Sequence, residues 1–174
     1  METQQLSPGK FGVNYGLILG VILVLISVIM YVTGMQLAGE QWPIYLFYLI
    51  FLITIFYAIS QFKKKNGNFL KLGEAIKCGL IVGIISALVF GVYTLIFNYV
   101  IDPGFTAQMM EVQREKMMEN PNMTEEMMDQ SMKFMEMFSS PWVLIAFWLA
   151  MSAFFALIYS LIAGLIMKKE MNQY

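Results

Sequence analysis

The sequence predicts an all-α integral membrane protein: a four-transmembrane-helix bundle with an amphipathic helical extramembrane segment between helices three and four. Three observations predict it. Asp, Glu, Lys and Arg are absent from Phe11 to Gly39, Gln41 to Phe62, Cys78 to Ile101 and Met137 to Met167. Each stretch reaches the roughly 20 residues a helix needs to cross about 30 Å of hydrocarbon. Only 13% of all residues are charged, against about 25% in soluble domains, and those charges crowd into the connections.

The spans follow in order. The first covers about 11–33, the second about 42–62, the third about 76–101 and the fourth about 141–167, all in one membrane domain of 174 residues. A buried charge near a span centre would cost about 2.5–3.5 kcal/mol on an insertion scale, and no span carries one. A soluble helix of this length would need a polar face. Phe11–Val32 and Trp42–Phe62 have none. The first run exceeds the 7–15 residues of a signal-peptide core, so an uncleaved span is expected. Pro43 fits the first turn of helix two. Gly34–Gln41 reads as a tight turn and Lys63–Asn68 as a basic one. Ser140 reads as an N-cap, with Pro141 at the first helical position.

Basic residues set the expected orientation. Lys10, Lys63, Lys64, Lys65, Lys71, Lys77, Lys168 and Lys169 share one side, and Arg114, Lys116 and Lys133 the other. The positive-inside rule then places both termini in the cytoplasm. Tyr31, Trp42, Tyr45, Tyr99 and Trp142 would anchor the outer interface.

Helices in lipid associate by close packing of small residues. Helix one carries Gly12, Gly16 and Gly20. Helix three carries Gly79, Gly83 and Ala87. Helix four carries Ser152, Ala156, Ser160 and Gly164. These stripes predict tight contacts among helices one, three and four. Helix two, bulky apart from Ala58 and Ser60, is expected at the periphery.

The connection at 102–138 holds 10 of the 16 methionines, and within 102–137 eight acidic residues face three basic ones. Asp102 and Pro103 are expected to start one helix, and Thr124 to cap a second. At about 100° per residue, Met123, Met127, Phe134 and Phe138 form one stripe of that second helix. Met128, Met132 and Met135 lie beside it. This face is the expected contact with a partner protein or the membrane surface. Thioethers suit soft metals, but here they form an apolar helix face, so no metal is expected.

The chemistry of an enzyme is missing. There is no His and a single Cys78, which removes the commonest general base and any internal disulfide. No phosphate loop, zinc spacing or nucleophile–base pair occurs, and no basic face suggests nucleic acid. Glu74 is expected to complement the start of helix three. Asn14, Asn98, Tyr93 and Tyr159 are the polar groups in or near the spans. With no ionisable residue at depth, an ion-driven pump is disfavoured.

Several short motifs resemble a known family. They are Lys63-Lys64-Lys65-Asn66-Gly67 with Phe69, then Leu72-Gly73-Glu74-Ala75, Ile101-Asp102-Pro103 and Gln113-Arg114. Pro121-Asn122-Met123-Thr124-Glu125-Glu126 and Ser140-Pro141 complete the set. Together they resemble domain-of-unknown-function family 4199, small bacterial membrane proteins. The resemblance implies four spans, a long acidic connection after the third and the bacterial inner membrane, and it carries no activity. The reading from sequence is therefore a non-enzymatic, cofactor-free protein of the lipid bilayer. It would be a self-associating scaffold, contacting its own copies or another membrane protein. The alternative is a small passive channel or carrier for an uncharged or lipid-like substrate.

Overall fold

The structure, a computed structural model, describes residues 7–169. Its helices are α1 (Pro8–Val32), a single turn α2 (Met35–Ala38), α3 (Trp42–Lys65), α4 (Leu72–Ile96), α5 (Phe105–Met118), α6 (Glu125–Met137) and α7 (Pro141–Met167). A π-helical turn, Phe97–Ile101, extends α4. Four helices are long and apolar enough to cross a membrane: α1, α3, α4 with its π turn, and α7. At 1.5 Å per residue, even the 24 residues of α3 exceed the hydrocarbon thickness.

The helix ends refine the sequence reading. α1 starts at Pro8, three residues before the uncharged run. The expected tight turn at Gly34–Gln41 contains α2, bracketed by Gly34 and Gly39 at φ +74° and +69°. Lys63, Lys64 and Lys65 form the last turn of α3 rather than a loop, where cations complement the helix dipole. α4 begins at Leu72 because Glu74 Oε2 accepts the Lys71 backbone N–H at 2.8 Å. Asp102 and Pro103 sit in a turn ahead of α5, whose N-cap is Gly104.

α4 is the hub, lying against α1 on one side and α7 on the other. Its approach to α1 depends on glycines of α1. A Cβ on Gly12 would stand 2.7 Å from the Cys78 carbonyl oxygen, on Gly16 2.7 Å from Ile85 Cβ, and on Gly20 2.6 Å from Val89 Cβ. Its approach to α7 uses the opposite arrangement, with glycines on α4. A Cβ on Gly79 would meet Ser160 Cβ at 2.5 Å, and one on Gly83 would meet Ala156 Cβ at 2.6 Å. Near the start of α4, Gly164 of α7 leaves room for Leu72 and Ala75. The Ser160 hydroxyl is buried and satisfied by the Ala156 carbonyl at 2.5 Å.

α3 packs less closely than the other three spans, as its bulk predicts, yet it is not detached from them. It contacts α1, α4 and α7 alike. Its Ile55, Ala58, Ile59 and Phe62 are fully buried. Phe51 and Ile55 reach the clefts above Gly83 and Gly79, at 3.3 Å and 3.2 Å from the positions a Cβ would take. In lipid this packing stabilises by dispersion rather than by the release of water. Large side chains on α3 thus fill what small ones on α4 leave open.

The two ends of the bundle differ. The lysine-rich end is sealed. Leu70 and Lys169 exchange backbone hydrogen bonds of 2.9 and 3.0 Å, tying the α3–α4 loop to the end of α7. Phe11, Phe62 and Leu70 are buried there, and the Lys65 ammonium lies 5.5 Å from the Phe11 ring centroid. At the other end aromatic side chains line the space between the helices.

Candidate functional site

In this opposite half, α1, α3, α4 and α7 surround a partly open cavity of about 790 Å³. Leu23, Ser27 and Met30 of α1 form one wall, and Phe47, Tyr48 and Phe51 of α3 the next. Ala87, Phe90 and Tyr93 of α4 face Trp148, Met151 and Phe155 of α7. The aromatic rings hold one another in place. Tyr48 packs on Phe155 at 5.2 Å, Phe90 on Tyr93 at 5.7 Å and Phe90 edge-on to Trp148 at 6.4 Å. Offset and edge contacts of this kind favour particular ring orientations.

α2 and α5 form the roof. Gln36, Gly39, Glu40 and Gln41 contribute from the α2 side, and Phe105, Thr106 and Met109 from α5. The π turn positions the start of α5. The Asp102 N–H reaches the Phe97 carbonyl at 2.9 Å, closing the wide loop that recurs at functional sites. It turns Phe97 inward, where Tyr31 and Phe105 pack at 4.9 and 5.3 Å. Tyr31, expected as an interfacial anchor, instead donates its hydroxyl to Asp102 Oδ2 at 2.9 Å. Trp42, Tyr45, Tyr99 and Trp142 remain exposed. Asn98 accepts from Thr106 Oγ1 and donates to the Thr94 carbonyl, each at 2.9 Å. At the far end of α5, Lys116 Nζ donates to the Ala38 carbonyl at 2.5 Å. The roof is thus fastened at both ends.

Polarity runs along the cavity. Gln36, Glu40, Gln41, Asn98 and Thr106 gather at the roof, and Leu23, Phe51, Ala87 and Phe155 line the depth. Glu40, Gln41 and Ile44 are exposed, as is Trp148 of α7, while Leu23, Ser27, Phe51 and Ala87 are buried, so the cavity opens at the first turn of α3 and beside Trp148. Ligand sites of small molecules share this size, apolar walls and few polar groups.

The residues singled out by sequence are dispersed. Gly12, Gly16, Gly20, Gly79, Gly83, Ala156, Ser160 and Gly164 lie at helix contacts away from the mouth. Ser152 is shared: its carbonyl faces Gly83 and the residue lines the cavity floor. Ala87, grouped with the α4 stripe, is a cavity wall. The apolar face of α6 is divided. Met123, Met128, Met132, Met135 and Phe138 are half-buried, with α6 against α5, whereas Met127 and Phe134 are exposed. Phe138 bridges Phe134 at 5.0 Å and Phe147 of α7 at 5.4 Å. Thr124 caps α6 through the Met127 N–H at 3.2 Å. The sequence reading missed the aromatic walls. Their only signal is the crowding of Phe47, Tyr48, Phe90, Tyr93 and Trp148 into one half of the spans.

These features define a multi-pass membrane protein whose four-helix bundle is closed in one half and hollow in the other. The family described as Protein of unknown function (DUF4199) matches residues 14–169, and the chain belongs to it. No curated protein and no solved structure matched the chain.

Proposed function

We propose that this is a non-enzymatic binding protein of the bacterial inner membrane that takes one uncharged or lipid-like molecule into the cavity. The observation that carries the reading is the cavity itself: about 790 Å³, apolar in depth, polar at the mouth. A through-going channel is less well supported, because Ile55, Ile59, Phe62 and Leu70 fill the lysine-rich half. The scaffold reading stands second and rests on the exposed Met127 and Phe134 of α6.

One experiment separates them. The purified chain in mild non-ionic detergent is titrated with a long-chain monoacylglycerol and weighed by native mass spectrometry. The expected result is a single chain that saturates at one bound molecule. A multi-chain complex with unsaturable lipid uptake overturns the cavity reading in favour of the scaffold.

The positive-inside pattern supports both termini in the cytoplasm, which directs the mouth to the outer leaflet. In a Cys78→Ala background, Asn66→Cys is expected to react with an impermeant thiol reagent only after the membrane is opened. Labelling from outside intact cells reverses the orientation.

A further inference from the structure

We propose that the cavity selects its occupant by headgroup charge, accepting amphiphiles with a neutral or cationic polar end and rejecting anionic ones. The proposal rests on the cavity-binding reading above and names the class of molecule that reading takes.

Charge at the mouth carries it. Among the described residues, Glu40 contributes the one carboxylate to the lining, and no Lys or Arg lines the cavity. The other polar groups at the roof are carboxamides and hydroxyls, from Gln36, Gln41, Asn98 and Thr106. They can donate to or accept from an uncharged headgroup. Lys116, on the roof helix, brings its Nζ beside the lining residue Gly39, where it donates to the Ala38 carbonyl. An anionic headgroup would therefore meet Glu40 and a cation that a backbone carbonyl already engages.

The segment above the mouth adds to this. Within 102–137, eight acidic residues stand against three basic ones. Asp102, at its start, is beside the cavity wall through Tyr31 and Phe97. Clefts rimmed by one sign of charge focus the field and repel like-charged ligands, over a screening distance of about 8 Å at physiological salt. Most of α5 and α6 is exposed, so this field acts at the mouth rather than in the depth. The apolar walls give affinity without regard to headgroup, and the rim supplies the discrimination.

The test keeps one tryptophan, Trp148, which lines the cavity, in a Trp42→Phe, Trp142→Phe background. A brominated monoacylglycerol is bound in non-ionic detergent and quenches Trp148. It is then displaced by three competitors of equal chain length: a monoacylglycerol, an alkyltrimethylammonium and a monoalkyl phosphate. The neutral and cationic competitors are expected to displace it at similar concentrations, and the phosphate to need about tenfold more. Glu40→Gln is expected to narrow the gap between cation and phosphate by about threefold. Equal displacement by the phosphate overturns the selectivity while leaving cavity binding standing. An unchanged gap in Glu40→Gln overturns the role of Glu40. Failure of the brominated monoacylglycerol to quench Trp148 removes cavity binding and the selectivity with it.

Discussion

Gly83→Ala is expected to lower the unfolding free energy of the bundle by about 1–3 kcal/mol, and Gly73→Ala to leave it unchanged or raised by up to about 1 kcal/mol. Both are single methyl additions to α4. Helix propensity favours Ala at Gly83, in the helix interior, at least as much as at Gly73, in the first turn, so a loss at Gly83 alone reports packing. At Gly73 an added Cβ meets nothing within 4 Å. At Gly83 it meets Ala156 Cβ at 2.6 Å, the Ser152 carbonyl oxygen at 3.0 Å and Phe51 Cζ at 3.3 Å. Carbon atoms in good contact stand about 3.5–4.0 Å apart, so α7 must retreat from α4. The Phe51 ring can turn aside, but the Ser152 carbonyl is backbone and moves only with its helix. Equilibrium unfolding in mixed micelles measures both variants. Adding Ala156→Gly to Gly83→Ala removes the shortest contact and is expected to restore part of the loss, with a coupling of about 0.5–3 kcal/mol. Equal stability of the Gly83 and Gly73 variants, or strict additivity with Ala156→Gly, sinks this account of the α4–α7 contact.

The spans were legible because the penalty for charge in hydrocarbon writes itself into the sequence as long uncharged runs. The glycines of α1 and α4 were visible for a related reason: without a hydrophobic drive between helices, close approach needs small residues. The role of α3 was hidden. Phe51, Ile55 and Phe62 look like lipid-facing residues until the clefts they fill are known, and those clefts are gaps left by glycines on another helix. The helices α3 and α4 reach beyond the expected spans because Lys63–Lys65 and Leu72–Lys77 are charged or mixed yet helical. A span ends where hydrocarbon ends, whereas a helix ends where its caps lie.

The cavity was less legible, for a geometric reason. A heptad-like or fourfold spacing of small residues marks a helix face but not the depth at which two helices cross. Gly79, Gly83 and Ala87 share one spacing. The first two touch α7 and the third lines the cavity, although α4 still meets α1 at Val89 and α7 at Gly91 farther along. The π turn is a further hidden step. It changes the phase of the helix where Asn98 and Asp102 must meet Thr106 and Tyr31, and nothing in Phe97–Ile101 announces it. The α6 face was legible as a pattern, but which half α5 covers depends on the roof.

Ala87→Phe is the counterpart of Gly83→Ala, one helical turn away. A benzyl group is far larger than a methyl, yet it is expected to cost less. Ala87 is buried and lines a volume of about 790 Å³, so the ring enters space rather than a neighbour. Filling such space commonly raises stability by about 0.5–2 kcal/mol. The same ring stands between Leu23 and Ser27 on α1 and the aromatic walls of α3 and α7, where an acyl chain would lie. Binding of the brominated monoacylglycerol is expected to fall at least about tenfold, the equivalent of about 1.4 kcal/mol. Trp148 quenching reads the binding and micellar unfolding reads the stability. The pair of outcomes is diagnostic because the two common alternatives move both readouts together. A variant that misfolds loses binding and stability alike, and a cavity that takes no occupant loses neither. Loss of binding with stability kept or raised is the combination that requires a working ligand site in this half of the bundle. Retained binding in a stable Ala87→Phe protein would place the lipid elsewhere, on the outer surface of the helices.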